Sequence, residues 1–289
     1  MLQLTDEKKI WMEGKANEIR TSIIEMLIEA GSGHSAGPLG MADIFTALYF
    51  YILKHDPTNP MWEDRDRLVL SNGHICPVLY ATMAHAGYFP LEELKTLRKF
   101  GTRLQGHPHR EYLPYLENSS GPLGAGLSQA VGMCLADRMD KGKYSPLQFY
   151  SLLSDGELEE GNTWEAVMLG AKERLQNLTV IIDRNNIQIE GYTEDIMPLE
   201  SVKDKWEAFN WHVQSIDGHN FEAIIEAVGC AQAEFSKPSV IIANTIPGKG
   251  VSFMERKFEW HGKPPKGGEG LQALKELRTL EGKIKSEHE

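Results

Sequence analysis

Apolar residues between positions 6 and 30 recur at helical spacing, with Ile19, Ile23, Met26, Leu27 and Ala30 on one face, and the run stops at Gly31. A glycine just past the last periodic residue is a common helix terminator, so the pattern predicts a long first helix over 6–30. A second helix is predicted from about Met41 through Leu53. A short strand, Arg67–Ser71, then delivers Asn72, Gly73 and His74 to its carboxyl end. More helix is predicted near 75–87 and 91–99, and the Gly-, Pro- and His-rich stretch 106–126 leads into a small-residue helix starting near Leu127.

The second half is more regular. FYSLLS (149–154) reads as a strand, followed by a helix whose apolar positions Trp164, Val167, Met168, Ala171 and Leu175 step by three and four. TVIID (179–183) reads as a β-branched buried strand and HVQSID (212–217) as another; a helix from about Phe221 to Glu234 and the strand SVIIANT (239–245) follow. Apolar strands alternating with helices predict an α/β fold, a parallel sheet with helices on both faces. Such sheets bind ligands at the carboxyl ends of their strands, which draws together 71–74, 154–160, 183–187, 217–219 and 245–250. Residues 1–262 are expected to form one binding domain, and 263–289 a flexible turn with a terminal amphipathic helix and no second domain beyond it. No internal repeat is found.

Composition narrows the class. A chain of 289 residues that is 41% hydrophobic can bury a sizeable core. A formal net charge of −11 argues against nucleic acid or an anionic membrane as partner, because both are bound through clustered Lys and Arg. Cys76, Cys134 and Cys230 lie far apart without CxxC spacing and are expected to be reduced thiols that pack as small hydrophobes in a cytoplasmic protein. The amino terminus carries acids and lacks an apolar signal core, and IFTALYFYIL (44–53) is too short to span a bilayer.

The chemistry concentrates in SDGELEEGNTWEA (154–166), where Asp155, Glu157, Glu159, Glu160 and Glu165 follow directly on a buried strand. A solvated helix terminus, a metal site and acid/base work each account for such charge; acids near a helix start also act as plain caps. About thirty residues on, the next strand ends in DRNNIQIEG (183–191). A carboxylate at one strand end, an amide oxygen at its neighbour and a main-chain carbonyl from the turn after Asn185 provide three hard oxygens. That set suits Mg2+, which completes its six-oxygen sphere with phosphate and water. Gly156 allows close approach of a diphosphate.

An Asp-Gly after an apolar strand, with an Asn-rich turn about thirty residues later, resembles the thiamine diphosphate binding motif. SGHSAGPLGMADI (32–44), LSNGH (70–74), GHP (106–108), GPLGAG with VGMCLA (121–136), SDGELEEGNTWEA, DRNNIQIEG and TIPGKG (245–250) with His261 together resemble transketolase, in that family's order and over nearly the whole chain. The resemblance covers the amino-terminal, diphosphate-holding part of an ordinary transketolase. It implies one component of a split enzyme whose partner supplies the pyrimidine-binding domain and the glutamate that activates the cofactor, in an assembly of two copies of each.

By that resemblance Asp155 and Asn185 are side-chain Mg2+ ligands and Ile187 contributes its carbonyl; the general diphosphate motif would favour Asn186, but IQIEG aligns Asn185. His74 and Gly156 contact the diphosphate, and Gly121, Leu123 and Gly124 form a loop against the cofactor. His34, His107 and His261 face the sugar, His261 also meeting the cofactor, where imidazoles can exchange protons near neutral pH or donate to developing charge. Glu160 and Glu165 match glutamates near a subunit interface, where paired carboxylates can share a proton; Glu157 and Glu159 are expected to be solvated. Ser154 departs from the family's Gly-Asp-Gly and fits if its φ is negative. The implied activity is transfer of a two-carbon ketol unit from a ketose or its phosphate to an aldose or its phosphate, the donor and acceptor being unspecified. The alternatives are a 1-deoxyxylulose-phosphate-synthase-like enzyme, a component of a 2-oxoacid dehydrogenase and a non-catalytic regulatory chain.

Overall fold

The computed structural model describes residues 4–279. Helix α1 (Asp6–Ala30) begins at Thr5, whose hydroxyl accepts from the Lys8 amide, and ends at Gly31 in the left-handed region, φ 61°. The glycine allows its N–H to turn back onto the Leu27 carbonyl. The helix expected over 41–53 is present as α3 (Ala42–Ala47) running directly into a π-helical turn, Leu48–Ile52, and a short helix that the pattern did not indicate, α2 (Ala36–Gly40), precedes it. Gly40, the last residue of α2, lies so close to the 246–247 backbone that a Cβ there would stand 3.0 Å from the Ile246 oxygen, so this short helix is shaped by tertiary contact rather than by helical period.

Strand β1 (Arg67–Leu70) precedes a 3-10 turn (Gly73–Ile75) and α4 (Cys76–His85). The segment expected as helix near 91–99 is a 3-10 run, Leu91–Thr96. Then come α5 (Ala125–Lys141), β2 (Phe149–Ser154), a 3-10 turn (Asp155–Glu159), α6 (Gly161–Glu173) and β3 (Leu178–Arg184). Short helices α7 (Thr193–Ile196) and α8 (Val202–Ala208) lead to β4 (His212–Asp217), α9 (Phe221–Gln232), β5 (Ser239–Asn244) and α10 (Gly268–Thr279).

The five strands form one parallel sheet in the order β1-β2-β3-β5-β4. Period-two alternation divides their side chains between two cores. Leu70, Tyr150, Leu152, Ile181 and Ile241 pack with α1, α3, α4 and α9, whereas Val69, Phe149, Leu153, Val180, Ile182 and Val240 pack with α5, α6 and α8. The parallel sheet with helices on both faces is therefore as expected. HVQSID differs: β4 is a sheet edge and only partly buried, because one side has no strand to cover it. In α6 the expected apolar stripe also slips, since Met168 is 50% exposed while Thr163, Ala166, Val167 and Gly170 face the sheet.

Helix α10 lies along α1, with Ala273 and Leu277 in the same core and the Leu277 carbonyl accepting from Asn17. The part of the expected terminal helix after residue 279 falls outside the described residues. Cys76 and Cys134 are buried and all three cysteines are free, as their spacing indicated.

Candidate active site

Strands β2 and β3 are hydrogen-bonded neighbours in register, with Ser154 beside Asp183, so whatever follows each strand emerges at the same sheet edge. Ser154 has φ −88°, an ordinary extended value that needs no glycine, and its side chain joins Glu157 in a reciprocal cap. Asp155 is 1% exposed. Its Oδ2 accepts from the Asn186 amide at 2.7 Å and from Nη1 of Arg184 at 3.1 Å, and its Oδ1 accepts from the Gly156 amide at 2.9 Å. Across the edge, Asn185 donates from Nδ2 to Oδ2 of Asp183 at 2.8 Å and accepts on Oδ1 from the Ile187 amide at 3.0 Å. Thr245, after β5, donates to the other oxygen of Asp183. Three strand ends thus converge on one cluster of oxygens, with Asn185 buried and Asn186 exposed at φ 64°.

Burial dominates the electrostatics. It pushes the Asp155 carboxyl up to about 6 against the pull of Arg184, and Asp183 up to about 7 against the donation from Thr245. Among the described residues no three His, Cys, Asp or Glu side chains gather as a metal-binding group. Asp155 and Asn185, at neighbouring strand ends, offer a carboxylate and a neutral amide oxygen instead, donors that suit a cation that shares its sphere with phosphate.

Three imidazoles from distant segments lie together. Ring centroids of His34 and His74 are 5.0 Å apart, those of His74 and His261 5.2 Å, and those of His34 and His261 5.4 Å. His107 joins from the 106–108 loop, its Cδ2 lying 3.1 Å from where a Cβ on Gly73 would stand. Burial lowers His34 and His261 to about 4, helped at His34 by its neighbour His261, and lowers His74 and His107 as well. At neutral pH the cluster is therefore a set of uncharged rings that can accept or donate, not a patch of cations.

Several buried polar atoms here have no partner among the described residues: Nδ1 of His34, Nδ1 of His261, both amide atoms of Asn72 and Oγ of Ser120. Natively buried polar groups are almost always satisfied, so such a concentration marks a place where a polar ligand completes the network. A Cβ on Gly121 or Gly156 would meet no atom within 4 Å, so both glycines border open space. These features fit an oxygen-rich anion held with a divalent cation.

The remaining acids divide unequally. Glu159, Glu160 and Glu165 are exposed, Glu160 at the N-cap of α6 and Glu165 within the helix, which also exposes Met168 and Leu169. The expectation that Glu157 is solvated is wrong: it is fully buried, accepting from Ser71, from the Gly124 amide at 2.6 Å and from the Ser154 amide at 2.9 Å. The sequence holds the clue, since Ser154 and Glu157 have the S-x-x-E spacing of a capping box. Sequence reasoning also misses Asp183, Arg184, Asn72 and Ser120 as individual residues; Asp183 and Arg184 end a strand whose apolar pattern gives no sign of a polar role.

A sequence profile described as "Transketolase, thiamine diphosphate binding domain" matches residues 12–283. The chain belongs to the transketolase family. It is 47% identical over 255 residues to the 6-deoxy-6-sulfo-D-fructose transketolase subunit SqwG of Clostridium sp. (strain MSTE9), covering 88% of this chain and 92% of that protein. It is 39% identical to an apulose-4-phosphate transketolase subunit of Phocaeicola vulgatus, covering 96% of this chain and 97% of that one. The solved transketolase of Campylobacter jejuni superposes with a TM-score of 0.86 at 37% identity, over 94% of this chain and 42% of the longer one. This transketolase chain thus carries the thiamine diphosphate binding domain of a transferase, and neither the 2-oxoacid enzymes nor a purely regulatory role is favoured. Among the described residues no helix is long and apolar enough to cross a membrane.

Proposed function

We propose that this chain is the diphosphate-binding subunit of a two-component transketolase, working in the cytoplasm with a second subunit that brings the pyrimidine-binding domain and its activating glutamate. Two relatives that are themselves named as subunits match along more than nine-tenths of their length, which supports the two-component reading. Asp155, Asn185 and the Ile187 carbonyl would hold Mg2+, Asn185 being preferred to Asn186 because its side chain is buried beside Asp155's strand whereas Asn186 is exposed. His74, Gly156 and the loop residues Gly121, Leu123 and Gly124 would line the diphosphate and the cofactor. Residues 1–262 would form the binding domain, with α10 (Gly268–Thr279) packed into its core against α1 rather than standing apart from it.

Thiamine diphosphate, when bound, supplies the electron sink that lets the C2–C3 bond of a ketose break. The protein positions the sugar and moves protons. Neutral His34, His107 and His261 can each accept a proton from a hydroxyl or donate a hydrogen bond to a carbonyl oxygen without first losing a charge. Glu160 and Glu165, both exposed, would meet a neighbouring subunit in an assembly of two copies of each chain. The observation that carries the reading is that Asp155, the 185–187 turn and His74 with its imidazole neighbours all follow strands β1, β2 and β3 at the same edge of the sheet.

The decisive assay is ketol transfer from xylulose 5-phosphate to ribose 5-phosphate with thiamine diphosphate and Mg2+, with and without a co-expressed pyrimidine-domain subunit. Activity in the mixture alone is the expected result; full activity of the chain by itself would overturn the two-component reading.

A further inference from the structure

Glu157 is 0% exposed, and its carboxylate ties together three pieces of chain that meet at the cofactor loop. Its Oε1 accepts from the Gly124 amide at 2.6 Å and from the Ser71 hydroxyl after β1, and its Oε2 accepts from the Ser154 amide at the end of β2, at 2.9 Å. Ser71 in turn accepts from the Gly126 amide at 3.1 Å, which leaves its hydroxyl proton for Glu157. The loop has no slack at this point. Gly124 sits at φ 76°, where a Cβ would stand 2.2 Å from Oδ1 of Asn162, and a Cβ on Gly126 would stand 2.5 Å from Cβ of Ser71. The Glu157 carbonyl also accepts from Thr163 at 2.7 Å, so the start of α6 is held by the same residue.

Every partner of this carboxylate is a donor. A group that only accepts satisfies all of them; an amide of the same shape would set its NH2 against a donor and leave a buried N–H unpaired. We propose that Glu157 is the positioning residue of the cofactor loop: it pins Gly121–Gly124 to the ends of β1 and β2 and thereby fixes the wall that thiamine diphosphate meets. The proposal rests on the reading that this loop lies against the cofactor. Ser154 belongs to the same device, since its side chain accepts from the Glu157 amide while Glu157 accepts from its own.

The test uses the full chain co-purified with its pyrimidine-domain partner and titrates thiamine diphosphate at saturating Mg2+, following intrinsic fluorescence. Glu157→Gln is expected to weaken binding by about tenfold or more, the scale of losing a hydrogen bond to a charged group. Activity lost at limiting cofactor should return as thiamine diphosphate is raised, a recovery that a misfolded fraction cannot show. Ser71→Ala removes one donor with little change of volume and should weaken binding by about threefold or more in the same direction. Unchanged cofactor affinity in a folded Glu157→Gln overturns the proposal; should that variant not fold, unchanged affinity in Ser71→Ala does so. Leu123→Ala separates the two layers of the argument. If it leaves cofactor affinity unchanged, the reading of the loop fails; if it weakens affinity while Glu157→Gln does not, the loop reading stands and the role of Glu157 falls.

Discussion

Nη1 of Arg184 donates to Oδ2 of Asp155 across 3.1 Å, with the two side chains 4% and 1% exposed. The same guanidinium also donates to Thr193, Glu194 and Glu200, so one arginine couples the proposed metal ligand to the segment that follows the 185–187 turn. Among the described residues, Arg184 is the cation that pairs with Asp155. Removing one member of a buried pair leaves the other uncompensated. Arg184→Met should therefore lower unfolding stability at neutral pH by about 3–5 kcal/mol, measured by urea denaturation. Mg2+ with thiamine diphosphate should restore more stability to the variant than to the wild type, because the metal takes over as the partner of Asp155. Equal stabilisation of both proteins would show that Arg184 and the metal do not share that carboxylate.

The imidazole cluster gives a pH signature of known sign. His34 and His261 have their affinity for protons lowered from 6.5 to about 4 by burial, so between those values the unfolded chain binds protons that the folded chain does not. Their contribution to stability is present above pH 6.5 and is lost as pH falls toward 4. Asp155 and Asp183, raised to about 6 and about 7, work in the opposite sense, losing stability as pH rises through those values. The raw curve mixes both, so the comparison must be with His34→Gln combined with His261→Gln. Stability of the double variant should fall less steeply below pH 6.5 than that of the wild type; parallel curves would mean that the two rings are protonated as readily in the folded protein as in the unfolded one.

How much of this site is legible in the sequence follows from what each signal measures. The strands are readable because TVIID and SVIIANT are apolar on both faces, which only a sheet covered twice requires. Asp155, Asn185 and the histidines are readable because they stand in segments with a recognisable order. Glu157 is misread because its neighbours Glu159 and Glu160 are solvated, and composition cannot separate one buried acid within an acidic run. Its partners Ser71 and Gly124 lie 86 and 33 residues away, so only the fold brings them together. Met168 is misread for a related reason: helical period identifies an apolar position but not whether sheet or solvent faces it.

Ser154 stands where the family resemblance has a glycine, and its extended φ of −88° shows that no left-handed conformation is at stake. What the serine adds is the cap on the Glu157 amide. Ser154→Ala should cost about 1 kcal/mol or somewhat more, since the amide it satisfies is buried, and Ser154→Gly, although it restores the family's residue, should not stabilise the chain. Chemical denaturation of the two variants checks this. A gain in stability with glycine would indicate that the serine strains the strand end.

Glu160, at the N-cap of α6, and Glu165, within that helix, are both exposed. Surface acids away from special contacts usually change stability by less than about 0.5 kcal/mol when replaced. If these two act only on meeting another subunit, replacing both with glutamine should leave the unfolding of the isolated chain within that range. The assembled enzyme should nevertheless lose ketol-transfer activity by about tenfold or more, the lower reach of positioned proton transfer. Activity retained in the assembled double variant would remove both residues from the mechanism and leave them as a solvated helix flank. Loss of assembly itself, read by size-exclusion chromatography, would reassign them to subunit contact rather than to proton sharing, because a carboxamide keeps the size of the side chain but neither its charge nor its exchangeable carboxyl proton.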